Sequence, residues 1–109
     1  MLKPLLGTKN RELTLQYTLC FESGYAREIA KYLDASLQSI QNQLNNFEDG
    51  GVMLSKMHGR TKVFFFNPSY ALLDELFALL NKAKEYYKPE LKYKFEMQRK
   101  RPRRVSKPL

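Results

Sequence analysis

A chain of 109 residues, 43% of them hydrophobic and with seven Phe and seven Tyr, can bury one core of ordinary domain size. Its single cysteine, Cys20, cannot form an internal disulfide, and no apolar run approaches the roughly 18 residues that a membrane-spanning helix needs. The net charge of +8 is uneven: residues 1–87 hold ten Lys and Arg against nine Asp and Glu, whereas residues 88–109 hold nine against two. A near-neutral body with a basic tail points to a polyanionic partner, nucleic acid before an anionic membrane surface. The opening MLKPLLGTKNRELTL has neither the apolar core nor the small-residue cleavage site of a secretory signal, so a cytoplasmic location without membrane attachment is expected.

Residues 1–7 read as a lead-in broken by Pro4 and Gly7. Thr8 or Asn10 can cap a helix reaching Phe21, whose Leu13, Leu15, Tyr17, Leu19, Cys20 and Phe21 are too many for one narrow stripe. That helix must cover two faces. Ser23-Gly24 is expected to end it, with Gly24 in the left-handed conformation. A second helix over about Ala26–Leu33 places Ile29, Ala30 and Leu33 at helical spacing. After Asp34-Ala35, Ser36 is suited to cap a third helix.

In that third helix Leu37, Ile40, Leu44 and Phe47 fall within about 80° on a helical wheel. Gln38, Asn42, Asn45 and Asn46 occupy the far side, with Ser39 and Gln41 on its flanks. Gly50-Gly51 stop the helix, and the period then changes to that of strands. VMLSKM, His58-Gly59 and RTKVFFFN read as a β-hairpin, closed by Asn67-Pro68-Ser69. A further helix over about Tyr70–Tyr87 is again too apolar for one stripe, through Leu72, Leu73, Leu76, Phe77, Leu79, Leu80 and Ala83. Two wide-faced helices at opposite ends predict a homodimer interface made by both. Beyond Pro89 a short helix carrying Leu91, Phe95 and Met97 is possible, followed by a Pro- and Arg-rich end.

The expected architecture is therefore mainly α with a small β-hairpin: a winged helix-turn-helix domain over residues 1–87, with a basic tail over 88–109. A helix of about 13 residues is ~20 Å long, and its width suits the ~12 Å major groove of B-DNA. With its apolar face anchored, the amides of Gln38, Gln41 and Asn42, the hydroxyl of Ser39, and to a lesser degree Gln43 are the candidates for reading base edges. Asn and Gln each offer a donor and an acceptor, which matches adenine. A solvated helix face would more often use Glu and Lys, yet no charged residue occurs between Gln38 and Asn46. Lys56, Arg60 and Lys62 around the hairpin tip, and Arg27 and Lys31 on the preceding helix, are candidates for phosphate contact. Arg99, Lys100, Arg101, Arg103 and Arg104 of the tail are candidates for the same role.

Gly24-Tyr25-Ala26-Arg27-Glu28-Ile29-Ala30, then Ser36-Leu37-Gln38-Ser39-Ile40-Gln41-Asn42-Gln43-Leu44, then Gly50-Gly51-Val52 and Gly59-Arg60-Thr61 resemble prokaryotic ArsR-like winged-helix regulators over about residues 8–87. The resemblance implies a symmetric dimer built from the first and last helices, reading an inverted repeat in double-stranded DNA, usually as a repressor. Similar domains also accompany small nucleotidyltransferases, so an antitoxin-like protein partner is the alternative. Metal sensors of the family carry a Cys pair in the recognition helix or Asp and His ligands on the last helix. Residues 36–48 contain no Cys, and Cys20 and His58 are far apart in sequence, so neither metal nor other cofactor is expected. No G-x-S-x-G and no phosphate-binding Gly-rich loop occurs, and Glu48-Asp49 and Asp74-Glu75 read as solvent charges, so an enzyme is not expected. A weaker third reading is RNA binding by the tail, with Tyr93 and Phe95 stacking on bases.

Overall fold

The computed structural model describes residues 1–96; Met97, Arg99, Lys100, Arg101, Arg103 and Arg104 lie outside the described residues. In chain order the elements are α1 (Lys3–Leu6), α2 (Lys9–Phe21), α3 (Ala26–Leu33), α4 (Leu37–Asp49), β1 (Met53–His58), β2 (Thr61–Phe66), α5 (Leu73–Lys84) and α6 (Pro89–Glu96). The chain is mainly helical with one two-stranded antiparallel hairpin, an order of elements compatible with a winged helix. None of its helices, among the described residues, is long and apolar enough to cross a membrane.

The start of each central helix follows from a short polar side chain. Thr8 caps α2 by accepting from the Arg11 N–H, and Ser36 caps α4 by accepting from the Ser39 N–H. The lead-in expected over residues 1–7 instead contains α1, because Pro4 sits in the first turn, where its missing N–H costs no hydrogen bond. The end of α2 also differs from expectation. Glu22, not Gly24, takes the left-handed conformation (φ 76°), and its N–H donates to the Thr18 carbonyl.

Gly24 is needed for space instead. It bridges to Phe64 through backbone bonds of 3.1 and 2.8 Å, and a Cβ there would lie 2.8 Å from the Tyr17 ring. This bridge lays the segment before α3 against β2. The hairpin register pairs Met53 with Phe66 and His58 with Thr61, which leaves Gly59-Arg60 as the two-residue turn. Gly59 there has φ 64°, as such turns require. After the hairpin, Asn67 donates to the Gly51 carbonyl and accepts from the Ser69 N–H, so the chain turns until Leu73 before α5 begins.

The core forms around α2. Every α2 residue from Glu12 to Phe21 except Leu19 is buried, and α1, α3, α4, α5, α6 and β2 all pack against the helix. Ile29, Ile40, Leu44, Met53, Leu80 and Phe95 are completely enclosed around it. Tyr17, Phe21 and Tyr32 form an aromatic cluster, with edge contacts at 5.3 Å, and Phe95 extends it from α6. Fully burying a side chain such as Phe or Leu stabilises the fold by about 1.5–3 kcal/mol. The two apolar faces expected of α2 are therefore real, but the second is covered within the same chain, not by another subunit. Residues 89–96 belong to this packed body, and the Cys20 thiol donates to the Phe95 carbonyl.

Polar groups enter the core as a connected set. The Glu12 carboxylate accepts from the Leu2 N–H at 2.8 Å and from the Tyr87 hydroxyl. Gln16 donates to the Leu80 carbonyl at 2.8 Å and to the Tyr87 oxygen at 3.2 Å, so α2 is tied to the C-terminal half of α5 and the residues that follow it. Burial and the Glu12 carboxylate beside it hold the Tyr87 phenol well above the usual tyrosine range. The Gln16 carbonyl oxygen and the Thr14 hydroxyl have no hydrogen-bond partner among the described residues.

Candidate nucleic-acid interface

One arc of α4 is open to solvent. Gln38, Gln41, Asn42, Asn45 and Asn46 are all exposed, while Ile40, Leu44 and Phe47 are buried on the opposite side. The five amides span about 140° of the helix at 100° per residue. Gln38 and Asn42, one turn apart, hydrogen-bond to each other at 3.0 Å, which sets their orientation without removing their remaining donors and acceptors.

Ser39 and Gln43 do not belong to this arc. Ser39 is half-buried and its hydroxyl accepts from Asn10 of α2 at 2.8 Å. Gln43 is buried and its carbonyl accepts from the Arg11 side chain at 2.8 Å. The expectation that these two face outward is therefore corrected. They lie one turn apart on the flank that meets α2, and the sequence alone does not say on which flank α2 lies. Arg11, which also donates to the Leu6 carbonyl, locks α4 against the N-terminal helices.

Beside the arc, the hairpin and the start of α3 enclose a cleft of about 610 Å³. Gln41 and Asn45 line it from α4, Arg27 and Tyr25 from the start of α3, and Arg60, Thr61 and Lys62 from the hairpin. Three of the expected phosphate-contact residues are thus gathered at one place, next to two of the amides. The Gly24–Phe64 bridge explains why, since it fixes the distance between α3 and β2. Tyr25 and Asn45 were not among the candidates. Asn45 had a legible signal, since it sits midway between Gln41 and Gln38 on the wheel.

The cations differ in what holds them. Arg60 is exposed at the hairpin turn, and Arg27 is exposed in the first turn of α3. Lys62 is already paired with Glu48 at 3.1 Å and lies over the Phe64 ring at 5.2 Å. Glu48 also accepts from the Ser55 hydroxyl, and these two contacts hold its carboxyl below the usual range. The pair joins the end of α4 to both strands, so Lys62 serves the position of the hairpin as well as its charge. Lys56 lies on the other face of the hairpin, over the Phe65 ring at 5.9 Å, and Lys31 is exposed on α3; neither lines the cleft. The period-two alternation of a strand accounts for the separation of Lys56 from Lys62.

Among the described residues no group of three or more His, Cys, Asp or Glu side chains converges in a manner that could hold a metal ion. His58 is exposed at the hairpin end and Cys20 is buried beside α6. No protein-family model matches the chain, and no curated protein matches it.

Proposed function

We propose that the chain is a winged helix-turn-helix protein that binds double-stranded DNA sequence-specifically, with α4 in the major groove and the β1–β2 hairpin as the wing. The observation that carries this reading is the uncharged, solvent-exposed amide arc of α4 beside a cleft bearing Arg27, Arg60 and Lys62. Amides discriminate base edges and cations hold phosphates, and the two sets lie side by side. Gln38, Gln41, Asn42 and Asn45 read bases in this arrangement. Arg27 and Arg60 grip the backbone, and the tail arginines add sequence-independent attraction. The protein acts as a homodimeric transcriptional regulator, a repressor of the ArsR-like kind, in the cytoplasm, without enzymatic activity of its own.

The dimer is formed by α5. Leu72 and Leu79 are exposed by 56% and 38%, and Leu76 lies between them at helical spacing, which makes an apolar strip on the outside of the fold. A second reading uses the same strip to hold a different protein, as in an antitoxin or an adaptor.

The DNA reading is tested with a duplex selected from a random library by the purified protein, measured by fluorescence anisotropy against a scrambled duplex. Gln41→Ala and Asn42→Ala are expected to cost about 1–3 kcal/mol on the selected duplex and little on the scrambled one. Arg60→Ala is expected to weaken both alike and to lower the salt dependence by about one unit of slope. Equal losses on both duplexes for every variant would remove the base-reading assignment.

A further inference from the structure

A second concavity lies on a different part of the molecule, where the first turn of α2 meets the junction of α5 and α6. It encloses about 560 Å³, within the range of sites that take a small organic molecule. Its lining is divided by chemistry. Leu13 and Tyr87, both buried, and Leu91, half-buried, supply apolar surface, and Tyr86, 63% exposed and with the Lys82 amine over its ring at 5.9 Å, adds an aromatic side chain. Lys3, Lys9 and Lys88 are exposed and line the same concavity.

Two carboxylates also line it. Glu12 is buried and both of its oxygens are engaged, one by the Leu2 N–H and, at 3.5 Å, the Met1 ammonium, the other by the Tyr87 hydroxyl. Glu90 is exposed, so the lining carries three lysines and the Met1 ammonium against two carboxylates. The balance favours a negative ligand group over a positive one. Buried apolar side chains, one exposed aromatic ring and three lysines in a single lining match a flat hydrophobic body carrying a single negative charge.

We propose that this pocket binds a small aromatic carboxylate, its ring held by Leu13, Leu91 and Tyr86 and its carboxylate by Lys9 and Lys88. The site shares no lining residue with the DNA cleft. It is tested without DNA, so its outcome is independent of the DNA-binding reading.

The probe is 2-naphthoate, titrated calorimetrically into the full-length chain, with the isosteric cation 2-naphthamidinium as the control. Saturable binding at one site per chain is expected for the carboxylate, at least tenfold tighter than for the cation. Lys9→Glu combined with Lys88→Glu should weaken it about tenfold. Tyr86→Ala, at an exposed position that the fold does not need, should weaken it several-fold with an unchanged thermal midpoint. Arg60→Ala should leave it unaltered. No saturable binding at millimolar naphthoate, equal affinity for the cation, or indifference to both the lysine and the tyrosine changes would overturn the assignment.

Discussion

Tyr87 and Glu12 show how single residues determine this fold. The Tyr87 hydroxyl donates to a carboxylate that is 2% exposed and accepts from Gln16, so its removal leaves two buried polar groups short of a partner. Tyr87→Phe is expected to destabilise the protein by about 1–3 kcal/mol, read as a lower midpoint in urea unfolding with an unchanged slope. Because the phenol is held neutral in the fold, its contribution is complete below the ordinary tyrosine value of about 10 and declines as the pH rises above it. Glu48 behaves oppositely. Its carboxyl is held below the usual range by Ser55 and Lys62, so its contribution is present above about pH 4.3 and is lost as the pH falls through the lowered value. The residue is partly exposed, and the stability difference between the native protein and Glu48→Gln should be only ~0.2–1 kcal/mol at neutral pH. It should shrink as the pH falls below the usual carboxylate range and through the lowered value. A difference that grows on acidification would contradict this account of Glu48.

At the scale of elements, helix positions were legible because caps and apolar spacing are local signals. Thr8 and Ser36 cap α2 and α4, and Leu37, Ile40, Leu44 and Phe47 mark the inner side of α4. What covers each face is not a local signal. The crowded apolar pattern of α2 correctly indicated two buried faces, yet the partner of the second is α6, held by Phe95, and not another subunit. The same limit explains Ser39 and Gln43, whose outward or inward placement depends on the side from which α2 approaches. The position of Gly24 after a helix suggests a turn residue, but what requires glycine there is close packing against Tyr17, a long-range contact. The role of α6 is open to a direct test. Phe95→Ala is expected to cost about 3–5 kcal/mol and to lower the thermal midpoint substantially, as followed by circular dichroism. An unchanged midpoint would show that α6 is not part of the core.

For the whole molecule, the distribution of surface chemistry separates three regions: the amide arc with its cationic cleft, the pocket at the α2–α6 junction, and the apolar strip of α5. The strip carries the dimer proposal. Sedimentation equilibrium should show a monomer–dimer exchange, weakened at least tenfold by Leu72→Lys combined with Leu79→Lys, with the far-ultraviolet spectrum preserved. A monomer at all concentrations would move the strip to a protein partner of another kind. The five exposed amides were largely readable from the sequence because they alternate with a clear apolar stripe, whereas the cleft was not, because it depends on the long-range bridge between Gly24 and Phe64.

The central claim concerns the outer side of α4, and titration of isotope-labelled protein with a selected DNA duplex reports on it by nuclear magnetic resonance. The largest shifts should fall on the side-chain amides of Gln38, Gln41, Asn42 and Asn45, while the buried amide of Gln16 and the exposed amide of Asn81 on α5 stay in place. Shifts centred on α5 with the α4 amides unmoved would contradict the claim.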